Sequence, residues 1–225
     1  MHGQAGPAVK ICGLTREDDA ATAERVGATY LGVILAGGPR HLTPGQARLV
    51  LGARRHTVRR AAVFGDQSEE EVIVLAGMLD LDVIQLHGGR TADAVARIAA
   101  QSAREVWPVV RVAGTTLPDE AEVLARIAGT LVLDAHVVGQ LGGTGVTLDW
   151  SGLARDVTAL RRVVPGVRLV LAGGLRPANV GQATQLLSPE VVDVSSGVEI
   201  APGVKDPALV RQFVKAARVA AETQR

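Results

Sequence analysis

The chain has 225 residues, 47% hydrophobic and 21% charged, with 24 basic against 23 acidic side chains. That balance excludes a disordered chain and a basic nucleic-acid footprint. The single cysteine excludes an intrachain disulfide and a multi-cysteine metal site, and no apolar run is long enough to span a membrane.

Residues 1–8 are short, polar and Gly/Pro-containing, and read as a loose extension without the pattern of a secretion signal. A cytoplasmic protein is expected. Short aliphatic runs then recur at 9–12, 30–35, 60–64, 83–86, 106–110, 130–134, 168–171 and 191–195, with starts about 26 residues apart. They are near-continuous rather than alternating, which is the pattern of parallel strands covered on both faces. Helical spacing fills the gaps at 16–26, 69–79, 91–100, 118–127, 153–163, 179–187 and 207–221. Thr15 and Ser68 stand where N-caps belong, and Pro44, Pro118 and Pro207 suit a first helical turn. The short pairs Arg54-Arg55 and Arg161-Arg162 read as solvated helix ends.

Strand then helix, eight times, is the arithmetic of one α/β domain, a (β/α)8 TIM barrel over residues 1–225. An open doubly wound sheet is the alternative, but it gives no reason for eight even units. In such barrels the working groups stand at the C-terminal strand ends.

Strand 1 ends in Lys10-Ile11-Cys12-Gly13. Period 2 sets Lys10 and Cys12 on one face. An ammonium below Cys12 favours a thiolate, and Lys10 would need a carboxylate partner. A small inert core cysteine is the competing reading. Strand 4 ends in Gln85-Leu86-His87, where Gln85 and His87 share a face and could bind a polar ligand or satisfy loop backbone. Strand 6 ends in Asp134, a loop cap or an acid with equal justification on position alone. A glycine-rich loop follows at 139–145. Arg40, after strand 2, could pair with a carboxylate or be an ordinary surface arginine. Strands 7 and 8 end in Ala172-Gly173-Gly174-Leu175 and Ser195-Ser196-Gly197-Val198. Two such turns together fit a phosphate cradle, because backbone N–H groups must approach the anion closely. The histidines are scattered and no dinucleotide fingerprint follows a strand, so neither a metal nor a cofactor is expected.

In family order, Lys10-Ile11-Cys12-Gly13-Leu14-Thr15, Asp82 through Gly88, Gly142-Gly143-Thr144-Gly145 with Asp149-Trp150, Leu171 through Leu175 with Pro177 and Asn179, and Val192 through Glu199 with Gly203, Lys205 and Asp206 resemble the phosphoribosylanthranilate isomerases. The resemblance implies an Amadori rearrangement in tryptophan biosynthesis that uses no cofactor. It implies Cys12 as general base, Asp134 as general acid, and Arg40 as partner of the anthranilate carboxylate. Gly173, Gly174, Ser196 and Gly197 fall in its phosphate-binding turns. The partner it implies is a small phosphorylated substrate, acted on by a monomer or homodimer. The sequence departs from the family pattern at Gly32-Val33-Ile34-Leu35, at Gly37-Gly38, at Val146 and at Leu148. Rival readings are indole-glycerol-phosphate synthase, which would need a lysine acid, and a metal-dependent epimerase, which would need several His and Asp. A non-catalytic phosphosugar-binding barrel would keep the two turns without needing Cys12 or Asp134.

Overall fold

A computed structural model describes residues 6–53, 57–135 and 149–222. The Arg54-Arg55 pair, the glycine-rich loop at 139–145, Val146 and Leu148 lie outside the described residues. The strands are β1 (Ala8–Ile11), β2 (Tyr30–Ile34), β3 (Arg59–Phe64), β4 (Val83–Leu86), β5 (Glu105–Val112), β6 (Thr130–Ala135), β7 (Arg168–Leu171) and β8 (Val191–Val194). All run parallel, and β8 pairs back onto β1 to close the barrel. The helices α1 (Glu17–Arg25), α2 (Pro44–Leu51), α3 (Glu69–Met78), α4 (Ala92–Ser102), α5 (Glu120–Ala128), α6 (Trp150–Val163), α7 (Val180–Leu187) and α8 (Pro207–Glu222) alternate with them. The expected TIM barrel is the observed fold.

Local chemistry explains most element ends. Ser68 and Thr43 each close a capping box, with Glu71 and Gln46, and Pro44 opens α2. Three expectations change. The N-cap of α1 is Arg16, and the Thr15 hydroxyl instead donates to the Gly203 carbonyl. Pro118 precedes the Asp119 N-cap of α5 rather than opening the helix. β1 starts at Ala8, one residue inside the expected extension. A hairpin of β9 (Glu199–Ala201) and β10 (Val204–Lys205) follows β8 and was not foreseen.

Alternation along the strands divides the interior in two. Val9, Ile11, Leu31, Val33 and Phe64 face outward into the layer under the helices. Tyr30, Ala61, Val83, Trp107, Val132, Val170 and Val191 face inward and pack together. Trp107 meets Tyr30 edge-on at 5.0 Å. At the N-terminal strand ends, Glu105 binds Arg59 at 2.6 Å and Arg168 at 2.5 Å. It also accepts from the Trp107 indole at 2.9 Å, and both arginines donate to the Tyr30 hydroxyl. This floor closes the N-terminal end of the barrel with paired charges.

Candidate active site

β1 and β8 pair with Lys10 opposite Asp193. The Lys10 ammonium donates to Asp193 Oδ2 at 2.8 Å, and neither side chain is appreciably exposed. This is the carboxylate partner that a buried lysine requires. Burial alone would lower Lys10, but the charge and hydrogen bond of Asp193 outweigh it and hold the ammonium at about 12. Burial pushes the Asp193 carboxyl up, and Lys10 pulls against it. Cys12 continues β1 by donating its N–H to Val194 O at 2.8 Å. Burial raises its thiol, and Lys10 only partly offsets this. The sequence suggested a thiolate. In the structure the Lys10 ammonium is bonded to Asp193, and burial outweighs it at Cys12. Gly32 on β2 makes room for this stack, since a Cβ there would lie 3.0 Å from Lys10 Cε and 3.2 Å from Cys12 Sγ.

Across the mouth, Asp134, next to last in β6, meets the His87 ring, with Nε2 3.3 Å from Oδ2. Arg111 lies beside Asp134 in the β5–β6 register, and its Nη2 stands 3.5 Å from His87 Nδ1. An arginine can only donate, so Nδ1 is the acceptor and the proton sits on Nε2, aimed at Asp134. Gln85 is buried next to His87 on β4, and its Oε1 has no hydrogen-bond partner among the described residues.

The turns after β7 and β8 lie against each other. Gly173 and Gly174 have φ of 82° and 66°, a left-handed run that favours glycine. Asn179 closes this turn by donating to Gly174 O at 3.0 Å. A Cβ on Gly197 would sit 1.9 Å from Leu175 O, so the two turns touch backbone to backbone. The Ser195 hydroxyl is buried with no partner among the described residues.

Arg40 is half-buried and not a free surface group. Its Nε and Nη2 donate to Glu199, at 2.9 and 2.6 Å. Lys205 also donates to Glu199, at 2.7 Å, and to Ser195 O at 3.1 Å. Hydrogen bonding to Glu199 raises Arg40. Burial would raise Glu199, but its two cations outweigh that and hold the carboxyl below its usual range.

One cavity at this mouth is lined by Cys12, Arg40, Gln85, His87, Asp134, Gly173, Gly174, Ser195 and Ser196. Gly197 is the exception among the expected residues and supports the cavity from behind. Ile34, Ala36, Pro39, Val63 and Leu175 form an apolar wall. The sequence reading missed Arg111, having ended strand 5 at Val110. A cation at the end of an aliphatic strand was the available signal. Asp193, the partner of Lys10, also lines the cavity.

The family model for N-(5'-phosphoribosyl)anthranilate isomerase matches residues 9–216. The chain is 38% identical to the N-(5'-phosphoribosyl)anthranilate isomerase of Geotalea uraniireducens over 211 residues, 93% of this chain and 98% of that one. It is equally identical to that of Paracoccus denitrificans over 213 residues, covering 92% and 94%. The phosphoribosyl anthranilate isomerase structure from Thermotoga maritima superposes with a TM-score of 0.83 at 31% identity, over 95% of this chain and 99% of that one. Another such isomerase, solved with reduced 1-(o-carboxyphenylamino)-1-deoxyribulose 5-phosphate, gives 0.80 at 30% identity with the same coverage.

Proposed function

The chain belongs to the N-(5'-phosphoribosyl)anthranilate isomerase family, and on that premise we propose that it converts N-(5'-phosphoribosyl)anthranilate to 1-(2-carboxyphenylamino)-1-deoxyribulose 5-phosphate in tryptophan biosynthesis. One observation carries the reading. Cys12, Asp134, Arg40 and both glycine-containing turns line a single cavity at the C-terminal mouth of the barrel.

In this reading the phosphate rests on the turns at Gly173-Gly174 and Ser195-Ser196, where backbone N–H groups approach closely. The anthranilate ring lies against Ile34, Pro39 and Val63, with its carboxylate on Arg40. Asp134, oriented by His87, gives a proton to the furanose ring oxygen. The C1–O bond breaks and the nitrogen lone pair forms the protonated Schiff base. Cys12 then takes the proton from C2, and the electrons flow into the iminium to give an enolamine. Reprotonation at C1 and loss of the hydroxyl proton at C2 give the ketone. The iminium is the electron sink, so the side chains supply only proton transfer and positioning. Cys12 acts in this reading as its thiolate, which the Lys10 charge favours and burial opposes.

No helix among the described residues is long and apolar enough to cross a membrane, and we assign such an enzyme to the cytoplasm. The test is complementation of a bacterial tryptophan auxotroph that lacks this isomerase, together with conversion of the substrate by purified protein. Growth and turnover are expected. Soluble protein with neither would favour the non-catalytic phosphosugar-binding barrel.

A further inference from the structure

Glu199 and Lys205 belong to a hairpin outside the barrel, and proton transfer between Asp134 and Cys12 leaves both without a task. They are nevertheless among the most buried charged groups at the mouth, with side chains 5% and 1% exposed. Charges are buried at such cost only when each is held by others. Here one carboxylate is shared by two cations. Glu199 takes the Nε and Nη2 edge of Arg40 in a fork, and Lys205 takes the remaining access to Oε1. Lys205 is itself fixed, through its backbone N–H to Asp19 Oδ2 at 3.0 Å and its ammonium to Ser195 O at 3.1 Å.

The stem of Arg40 is held just as closely. A Cβ on Gly13 would lie 2.6 Å from Arg40 Cδ and 2.7 Å from Ser195 Oγ, so the arginine crosses the chain directly behind Cys12. The fork leaves Nη1 without a partner among the described residues, and Arg40 lines the cavity. Two positive charges against one negative leave a net charge of one, which a single ligand carboxylate would neutralise.

We propose that Glu199, anchored by Lys205, is the positioning residue that fixes Arg40 and selects a substrate bearing a carboxylate on its aromatic ring. The proposal rests on the reading of Arg40 as the carboxylate partner. A long flexible arginine loses rotamer freedom on binding, and the Glu199 fork has removed that freedom beforehand.

Binding of two probes to the full chain tests this by calorimetry. One is reduced 1-(2-carboxyphenylamino)-1-deoxyribulose 5-phosphate and the other is its phenylamino counterpart without the carboxyl. Glu199→Gln is expected to weaken the first about tenfold, the scale of one charge-assisted hydrogen bond, and to leave the second unchanged. In an Arg40→Ala background, Glu199→Gln is expected to add nothing. Equal weakening of both probes, or a further loss in the Arg40→Ala background, would overturn the proposal. If Glu199→Gln does not fold, Glu199→Asp decides, with a smaller loss still selective for the carboxylated probe. Should Arg40→Ala weaken the carboxylated probe while the Glu199 variants do not, the positioning role fails alone. Should Arg40→Ala leave that probe unaffected, the carboxylate reading fails and the positioning role with it.

Discussion

The two ends of the barrel use similar residues to opposite purpose. At the floor, Glu105 receives two arginines and an indole, and the Tyr30 hydroxyl receives both arginines. At the mouth, Gln85 Oε1, Asp193 Oδ1 and Ser195 Oγ are buried without partners among the described residues. An unmade buried hydrogen bond destabilises the fold by about 1–3 kcal/mol. A fold that satisfies one end and leaves polar atoms waiting at the other separates stability from binding along its own axis.

Substitutions at the mouth should be the sharpest test of that separation. Asp134→Asn and Cys12→Ser are each expected to lower kcat by about 10²–10⁴-fold, the usual span for a positioned acid or base. Thermal unfolding should stay near that of the wild type. A large fall in Tm with little change in turnover would reverse the assignment of the two ends. Glu105→Ala should do the opposite. It strands Arg59 and Arg168, whose partial exposure limits the loss to about 2 kcal/mol. Calorimetric unfolding measures this, and kcat/KM below the transition should be unchanged.

The electrostatics of the mouth can be read from its lone cysteine. The thiolate is the reactive form, and burial raises the Cys12 thiol in the free enzyme. Alkylation by iodoacetamide should therefore slow about tenfold for each pH unit below that raised value. It should still be climbing above pH 9, the ordinary position of the group. A rate already at its plateau near pH 7 would mean that Lys10, not burial, dominates. Gln85→Leu should have the smallest effect. Removing an acceptor with no partner is expected to stabilise the fold by about 1 kcal/mol while raising KM. A fall in Tm would show that Gln85 belongs with the structural end.

The barrel itself was legible because each of its units repeats the same local signals. Aliphatic runs, Ser68 as a cap, and Pro44 and Pro207 at helix starts all act within a few residues. The mouth was legible where one residue type interrupts an apolar strand end, as at Cys12, His87 and Asp134. What stayed hidden depends on neighbours distant in sequence. Nothing near Arg40 announces Glu199, 159 residues away. Nothing near Cys12 shows that burial outweighs Lys10, since that depends on how tightly β8 and Gly32 close around it. The Thr15 hydroxyl had the right position for a cap, but a hairpin nearly two hundred residues later claimed it.

The pairing of Lys10 with Asp193 has a consequence for how the molecule is assembled. The two partners are 183 residues apart, on the first and last strands of the barrel. Without β8, Lys10 lacks Asp193, and burying its ammonium unpaired would cost free energy, which opposes earlier closure around it. The step that seals the cylinder therefore also completes the mouth. Loop closure over that span is slow, so competence should appear with the last strand, and a chain lacking β8 should hold neither the ring nor the reaction.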